Sequence, residues 1–299
     1  MNHVSDVKQQ LLAWQANTID DQLLDLALTE DLGFPYQDIT TNYLFPEKNT
    51  RRSTAKIISK HPTPIVVCGL PMVVATLHKL SSACTVLPKI NDGETLHPGE
   101  TLVVIEGPEN ILMMAERIML NFLQRLSAVA TYTAQFVTQT IGTNLKILDT
   151  RKTTPGFRHL EKYAVLCGGG VNHRLGLYDA LMIKDTHIDL LGGMRQALAR
   201  LPDDILTKYP VIIEVRTLQE LEIVLQEGEK KVSRVLLDNM SCAVMGQCVL
   251  CCADKIATEA SGNISLDNIR AVAETGVQFA SVGKLTHSAG SVDLSMKCD

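Results

Sequence analysis

Six short apolar runs in the second half of the chain each end in charged, polar or glycine residues. In chain order, these residues are 149–152 after 147–148, 184–185 after 180–183, Glu214 after 211–213, 238–239 after 234–237, 259–262 after 256–257, and Gly283 after 279–282. If the runs are parallel strands, their carboxyl ends lie on one rim, which is where α/β barrels build their active sites. The pattern therefore predicts one polar site assembled from several strand ends.

Basic side chains form the first group of candidate ligands. Arg151, Lys152 and Lys184 follow predicted strands, and the pair His173-Arg174 follows a run of three glycines. Guanidinium groups bind carboxylates and phosphates through two parallel hydrogen bonds. In an acidic protein, such a concentration of positive charge predicts an anionic substrate. The alternative for His173-Arg174 is an ordinary surface pair.

Acidic side chains form the second group. Glu214 and Asp238 each end a predicted strand on the same rim. Carboxylates that face phosphates usually hold Mg²⁺ together with oxygens of the substrate. The two residues are therefore candidate magnesium ligands, and the alternative is that they only balance the neighbouring cations.

Small residues form the third group. Ser261, Gly262 and Asn263 precede a predicted helix at 266–274, and Gly283 follows the last predicted strand. Free backbone N–H groups at such a position bind anions, and barrels often hold a phosphate between their last two strand-end loops. Plain turn glycines are the alternative. Together the three groups predict a cup with two anion-binding regions, which suits phosphoryl or phosphoribosyl chemistry better than hydride transfer.

The elements that must position these residues divide into a small α+β lobe and a repeating α/β part. The lobe is predicted from helices at 20–30 and 71–80 and strands at 54–59 and 65–68, and a long helix at 108–140 follows it. Strands that alternate with helices imply a parallel sheet. Six or seven such units favour a TIM-like barrel. A doubly wound open sheet is the alternative, although no glycine fingerprint of a dinucleotide-binding fold follows its first strand.

The composition excludes several classes of protein. The 299 residues carry 28 basic and 33 acidic side chains, a net charge of −5, which argues against a generally basic nucleic-acid binder. With 6 Phe, 6 Tyr and 1 Trp, a stacking surface for single strands is not expected either. The longest apolar stretch, 65–77, is interrupted by Gly69 and Pro71 and is shorter than the roughly 18 residues of a membrane span.

The N-terminal segment and the cysteines indicate the compartment. Residues 1–14 are amphipathic and lack the apolar centre of a secretion signal. The eight cysteines do not form two CxxC units at zinc spacing, and the four at 242, 248, 251 and 252 fit reduced thiols on or under a helix. Reduced thiols predict a cytoplasmic protein.

Around these candidates the sequence resembles the quinolinate phosphoribosyltransferase family, also called nicotinate-nucleotide pyrophosphorylase (carboxylating). The matching strings are AERIMLNFLQRLSAVAT (115–131), DTRKTTPGFRHLEKYAV (149–165), GGGVNHRLGLYDALMIKDTHI (168–188), IIEV (212–215), LLDN (236–239), EASGNI (259–264) and SVGKLTHS (281–288). They extend over most of the chain, and DTRKT, GGGxNHR and IKDxH in this order are highly specific.

The resemblance implies a type II phosphoribosyltransferase fold. This would be an N-terminal α/β sandwich lobe over 1–125, with the tail 286–299 packed against it, and an open seven-stranded α/β barrel over 126–285. It also implies a cytoplasmic homodimer that converts quinolinate and phosphoribosyl pyrophosphate (PRPP) to nicotinate mononucleotide, pyrophosphate and CO₂, which is the entry into NAD biosynthesis de novo.

The resemblance also assigns roles to residues. Lys152, Glu214 and Asp238 would be catalytic, and the two carboxylates would contact the ribose hydroxyls and Mg²⁺. The residues that would hold the dicarboxylate and the pyrophosphate are Arg117, Arg151, Lys152, His173, Arg174 and Lys184. The 5′-phosphate would be held by Ser261, Gly262, Asn263 and Gly283. Arg117 would reach into the neighbouring subunit's site.

Three positions depart from the family pattern. Ala128-Val129 stand where Gly-Ile is usual, Thr186 replaces an Asn, and Leu166 replaces a common Arg. We expect the first change to be tolerated as packing, whereas Thr186 removes an amide close to Lys184. None of them removes a principal charged residue.

Three other functions fit parts of the pattern. One is a phosphoribosyltransferase for nicotinate or another pyridine, without decarboxylation. Another is a barrel lyase in which Lys184 or Lys152 forms a Schiff base. The last is a non-catalytic binding relative, against which the presence of both Glu214 and Asp238 argues.

Overall fold

The computed structural model describes residues 18–44, 51–253 and 255–299. Its strands are β1 (Arg52–Ser59), β2 (Ile65–Val66), β3 (Thr85–Pro88), β4 (Thr95–Leu96), β5 (Thr101–Pro108), β6 (Lys146–Leu148), β7 (Leu181–Ile183), β8 (Val211–Val215), β9 (Arg234–Asp238), β10 (Ala257–Ser261), β11 (Phe279–Ser281) and β12 (Leu294–Cys298). The amphipathic N-terminal segment, 1–14, lies outside the described residues.

The described residues also form helices. They are α1 (Thr18–Leu32), α2 (Ile39–Leu44), α3 (Leu70–Leu80), α4 (Glu109–Gln139), α5 (Arg158–Cys167), α6 (Asp185–Leu191), α7 (Met194–Ala199), α8 (Ile205–Lys208), α9 (Leu218–Ile223), α10 (Cys242–Cys252), α11 (Ile269–Glu274) and α12 (Lys284–His287). Within the described ranges, no helix is both long and apolar enough to cross a membrane.

The chain forms two compact units. The first consists of the residues up to Ala134 together with Thr153–Gly169 and Thr286–Asp299, and the second consists of Gln135–Lys152 and Gly170–Leu285. The chain passes from one unit to the other close to the C-terminal end of α4.

The first unit contains a four-stranded antiparallel sheet in the order β12-β1-β5-β3 and a two-stranded sheet of β2 and β4. Buried residues alternate along β1, with Ala55 and Ile57 fully buried, as in a sheet with one face on a core. This core also takes in apolar residues of α3 and α4, such as Leu77 and Leu112. The C-terminal strand β12 lies beside β1, from Ala55 opposite Cys298 to Ser59 opposite Leu294.

Residues 153–169 group with the first unit, although the sequence-based range for the barrel was 126–285. The reason is the packing of α5 and the residue before it. Phe157 stacks on Phe122 with ring centroids 5.7 Å apart. Arg125 and the fully buried Glu161 form an ion pair with 2.6 Å between nitrogen and oxygen. These contacts connect α5 to α4.

Gly168, directly after α5, tolerates no side chain. A Cβ atom there would lie 2.4 Å from the carbonyl oxygen of Ala130 and 2.6 Å from Cβ of Thr133, both on α4. We expect Gly168→Ala to lower the free energy of unfolding by about 1–3 kcal/mol, because the backbone must shift to admit the methyl group. Urea unfolding would measure the loss. The control is Gly142→Ala, where no atom lies within 4 Å but φ is 84°, so that only backbone strain applies.

The second unit contains a parallel sheet of six strands in the order β6-β11-β10-β9-β8-β7. The predicted barrel has seven strands. Among the described residues, the seventh is reduced to a single bridge between Val171 and Leu148, beside β6. All six carboxyl ends lie at the same edge of the sheet, because the strands are parallel. This confirms the predicted α/β class and places the predicted strand-end residues at one edge.

Two elements begin at different residues from those that the sequence predicts. The strand predicted at 256–257 is β10, Ala257–Ser261, so Glu259 lies within the strand. The helix predicted at 266–274 begins only at Ile269. Ser265 accounts for the delay, because its N–H donates to the Asn268 side chain in a turn that precedes the helix.

Candidate active site

The register of the parallel sheet brings a basic and two acidic side chains onto one face. Ile183 lies opposite Ile213, so Lys184 follows beside Glu214. Glu214 lies opposite Leu236, which is two residues before Asp238 on the same strand. Residues opposite each other on neighbouring strands project to the same side of a sheet, and so do residues two positions apart on one strand. The cation and the two carboxylates therefore share one face near the carboxyl edge.

The two carboxylates influence each other. Glu214 is half-buried, and burial raises the pKa of its carboxyl. The charges of Asp238 and Asp185 raise it further, whereas the backbone N–H of Asp185, 3.4 Å from Oε2 of Glu214, and the charge of Lys184 lower it. A divalent cation at this position would relieve the repulsion. The donor set fits Mg²⁺, which one or two carboxylates commonly hold together with substrate phosphates.

An amide network continues from Asp238 to the loop after β10. Nδ2 of Asn239 donates to Oδ2 of Asp238 at 2.9 Å, and Nδ2 of Asn263 donates to Oδ1 of Asn239 at 3.1 Å. The backbone N–H of Asn239 donates to the carbonyl of Ser261. Gly262 has φ 91°, and a Cβ there would lie 2.2 Å from Oδ1 of Asn239. The loop predicted to hold a phosphate is thus fixed against the acidic pair.

Arg174 is positioned by its neighbours. The backbone N–H of Arg174 donates to Nδ1 of His173 at 2.6 Å, and one guanidinium nitrogen donates to the carbonyl of Ala180 at 3.1 Å. The backbone N–H of His173 donates to the buried carboxylate of Asp149 at 2.8 Å. Burial lowers the pKa of Arg174, and the charge of Arg151 lowers it further. The influence of Arg151 on this pKa shows that the two positive charges act on each other.

A buried ion cluster lies deeper on the same face. Oε2 of Glu259 is 2.9 Å from a guanidinium nitrogen of Arg234, and Oε1 is 3.4 Å from Nε2 of His173. The Arg234 guanidinium also lies over the Phe279 ring, 4.0 Å from its centroid. Burial alone would raise the pKa of Glu259, but the contact with the His173 ring and the charge of Arg234 hold it below its ordinary value. Opposite register positions place Glu259 beside Leu236.

Arg234 and Glu259 are not among the site residues that the sequence predicts. Arg234 begins one predicted apolar run, and Glu259 follows another. The sequence signal for the cluster is therefore a single charged residue at the edge of each of two apolar runs. Both ring nitrogens of His173 face protein groups in this structure, which favours a positioning role for that residue.

The other predicted residues lie at the edge or in the first unit. Lys152 is exposed, and its backbone N–H donates to Oγ1 of Thr150 at 3.0 Å. Gly283 follows Val282, whose N–H donates to the carbonyl of Leu148, so the loops after β11 and β6 are neighbours. Arg117 is exposed on α4 of the first unit.

The three departures from the family pattern leave these contacts in place. Ala128 and Leu166 are buried in the first unit. Thr186 is exposed, and its backbone N–H donates to Oδ1 of Asp185 at 2.7 Å.

Two family models match the sequence. Residues 38–127 match the model described as quinolinate phosphoribosyl transferase, N-terminal domain. Residues 129–297 match the model described as quinolinate phosphoribosyl transferase, C-terminal domain. Together they extend over nearly all of the described chain.

Named relatives and a solved structure agree with this match. A probable nicotinate-nucleotide pyrophosphorylase (carboxylating) of Bacillus subtilis (strain 168) is 36% identical over 275 residues, which are 92% of this chain and 92% of that protein. A mitochondrial quinolinate phosphoribosyltransferase (decarboxylating) of Nicotiana glauca is 34% identical over 93% of this chain and 82% of its own length. The nicotinate-nucleotide pyrophosphorylase from Francisella tularensis has a TM-score of 0.86 and 35% identity, covering 95% of this chain and 97% of that one. By sequence and by fold, this protein therefore belongs to the quinolinate phosphoribosyltransferase family of enzymes.

Proposed function

We propose that this enzyme transfers the phosphoribosyl group of PRPP to quinolinate with decarboxylation, giving nicotinate mononucleotide, pyrophosphate and CO₂. The observation that carries the proposal is the position of Lys184, Glu214 and Asp238 on one face of the parallel sheet. An acidic pair beside several cations suits a reaction in which an anionic substrate meets a ribosyl group that becomes positively charged. Membership of the family supports the choice of substrates.

Binding comes first in this mechanism. Arg151 and Arg174 hold the carboxylates of quinolinate, because guanidinium groups match carboxylates with paired hydrogen bonds. His173 keeps Arg174 in place through the contact between its ring and the backbone. Lys152, with Arg151, neutralises the pyrophosphate that leaves. The loop of Ser261, Gly262 and Asn263, with Gly283, holds the 5′-phosphate.

Ribosyl transfer follows. The ring nitrogen of quinolinate attacks C1 of the ribose as the bond to pyrophosphate breaks, and positive charge develops on the ribosyl group. Glu214 and Asp238 stabilise this charge electrostatically. Glu214 and Asp238 would also hold a Mg²⁺ ion, which would supply charge neutralisation at the pyrophosphate.

Decarboxylation needs no further group. Ribosylation makes the ring nitrogen cationic, so the ring accepts the electron pair released when the adjacent carboxylate leaves as CO₂. A proton then takes the place of CO₂ on the ring carbon. The protein holds the dicarboxylate during this step. In the preceding ribosyl transfer, positioning the two substrates against each other is worth roughly 7–11 kcal/mol of barrier in favourable cases.

The direct test is to incubate the protein with PRPP, Mg²⁺ and quinolinate and to measure nicotinate mononucleotide, pyrophosphate and CO₂. We expect all three products in equal amounts, and no turnover when nicotinate replaces quinolinate. Efficient turnover of nicotinate without CO₂ would instead identify a phosphoribosyltransferase for a monocarboxylate. Trapping of a keto substrate by borohydride at Lys152 or Lys184 would identify a Schiff-base lyase.

Arg174→Ala tests the binding role of the half-buried arginine. A hydrogen bond to a charged group contributes about 1.5–3 kcal/mol, so we expect kcat/KM for quinolinate to fall at least about tenfold. Steady-state kinetics at low quinolinate would measure the change. The control is Arg200→Ala, which removes an exposed arginine after α7 and is expected to leave the kinetics unchanged. Normal kcat/KM in Arg174→Ala would remove this residue from the site.

The proposal includes a homodimer in which Arg117 of each subunit reaches into the active site of the other subunit. We expect Arg117→Ala and Lys152→Ala homodimers to be inactive on their own. After subunit exchange between the two variants, part of the activity is expected to return, because a hybrid dimer contains one intact site. Absence of recovery, with exchange verified by two affinity tags, would contradict a shared site.

We also propose a cytoplasmic location. Eight cysteines without the spacing of a disulfide framework suit a reducing compartment. Cell fractionation with antibodies against the protein would test it.

A further inference from the structure

Three potential metal ligands, none of which has a role in the proposed reaction, converge in the first unit. They are Cys68, just before α3, Asp92, in the turn before β4, and Cys167, the last residue of α5. Their two sulfur atoms and a carboxylate oxygen all lie within 4.8 Å of one another. Ligand atoms of a tetrahedral zinc site are roughly 3.5–4 Å apart, as follows from a Zn–S distance of about 2.3 Å. The arrangement is therefore close to the size that such a site needs.

The carboxylate of Asp92 is already oriented. Its Oδ2 accepts hydrogen bonds from the N–H of Gly69 at 3.0 Å and from the hydroxyl of Tyr163 at 2.8 Å. Its Oδ1 accepts one from the N–H of Leu70 at 3.1 Å and keeps a second lone pair. Hydrogen bonds of this kind commonly fix the carboxylate ligands of metal sites. The N-terminus of the 11-residue helix α3 adds a favourable field for negative charge at this position.

The two thiols are enclosed by protein. Cys68 is fully buried and Cys167 nearly so. Ser127 fixes the backbone next to the Cys68 thiol, since Oγ of Ser127 accepts from the N–H of Cys68. The sulfur atoms thus have a defined place in the protein before any ion arrives.

We propose that Cys68, Cys167 and Asp92 bind a thiophilic divalent cation of the Zn²⁺ class, with a water in the fourth position. Binding replaces the two thiol protons, which pass to the solvent, by two metal–sulfur bonds. Soft sulfur ligands select against Mg²⁺, so this site and the proposed magnesium site at Glu214 and Asp238 do not compete for the same ion. The bound cation would connect the end of α5 to the start of α3 and stabilise the first unit.

The probe for this site is Cd²⁺, because its bonds to thiolates give an ultraviolet charge-transfer band that carboxylates do not. Metal-free wild-type protein, titrated with Cd²⁺ in the presence of excess Mg²⁺, is expected to show the band with one equivalent and to release two protons per ion. Zn²⁺ is expected to displace Cd²⁺ and to raise the Tm, because a ligand that binds only the folded state stabilises it.

The decisive variants are Cys68→Ala and Cys167→Ala, each expected to lose the high-affinity band, the proton release and the shift in Tm. The control is Cys251→Ala, which removes an exposed thiol of α10 and is expected to behave as wild type. Circular dichroism of the metal-free variants would verify that they fold. Equal Cd²⁺ affinity and stoichiometry in wild type and Cys68→Ala would overturn the proposal. The proposal would also be overturned if the protein bound no Cd²⁺ and peroxide joined Cys68 and Cys167 in a disulfide. The two thiols would then be a redox pair.

Discussion

The Asp238→Asn enzyme is expected to retain its fold and to lose about 100- to 1000-fold in kcat, the range seen when one electrostatic contact to a transition state is removed. Asn has nearly the same shape as Asp, and its carbonyl can still accept the hydrogen bond from Nδ2 of Asn239. What is removed is the negative charge that we propose stabilises the ribosyl group. The loss should therefore appear mainly in kcat, while the KM for quinolinate changes less.

The matched control is Asp203→Asn. Its carboxylate belongs to the same unit but is almost entirely exposed, with a side chain 95% accessible to solvent. The Asp203→Asn substitution removes the same charge from the molecule as Asp238→Asn does. A difference in kcat between the two variants therefore separates a local effect from an effect of net charge. Rapid-quench measurement of nicotinate mononucleotide would give kcat for both. A value for Asp238→Asn equal to that of the control would exclude Asp238 from the chemical step.

The Glu259→Ala protein is expected to lose about 3–5 kcal/mol of folding free energy, as is usual when one partner of a buried ion pair is removed. Glu259 is fully buried and lies against Arg234 and His173. Without its carboxylate, the Arg234 charge loses its ion pair with Glu259, and its guanidinium still lies over the Phe279 ring. Urea unfolding followed by circular dichroism would measure the loss, with the slope against urea checked for two-state behaviour.

Two further variants give this prediction its controls. Glu259→Gln keeps an oxygen acceptor for one of the two partners, Arg234 or His173, so its loss should be smaller. Glu274→Ala removes an exposed partner of Arg270 and should change stability by less than about 1 kcal/mol. If Glu259→Ala were as stable as Glu274→Ala, the cluster would not contribute to the stability of the fold.

The pH dependence of stability provides an independent check on Glu259. Its pKa in the folded protein is below the ordinary value of 4.5. The unfolded chain therefore binds the proton more readily, and the ionised group contributes stability above that value. This contribution is lost as the pH falls through the folded pKa. The difference in stability between wild type and Glu259→Gln should accordingly shrink with acidification, and a constant difference would contradict the assignment.

Much of the candidate site could be predicted from local sequence. Apolar runs followed by polar residues predict the positions of β6 to β11, because a strand buried on both faces needs a continuous apolar segment. Lys184 directly follows β7, whereas Glu214 is the fourth of the five residues of β8 and Glu259 lies in the middle of β10. Since parallel strands align their carboxyl ends, the pattern was enough to predict one polar edge. The order of DTRKT, GGGxNHR and IKDxH then indicated the family.

The sequence was less informative where a residue's surroundings come from remote segments. Among the described residues, the seventh predicted strand is represented by Val171 alone, which forms a single bridge to Leu148. Residues 153–169 join the first unit through Phe122 and Arg125, which are encoded more than 20 residues earlier. No spacing rule along the chain anticipates either result.

By itself, then, the sequence determined which residues stand at strand ends, which charges they carry and which family they resemble, because these properties depend on neighbours along the chain. Tertiary structure alone decided that Glu259 is buried between Arg234 and His173, and that Cys68, Asp92 and Cys167 meet. Burial and ionic pairing depend on atoms brought together from distant parts of the chain. Their energies are set by distance in space, which the linear spacing of residues does not contain.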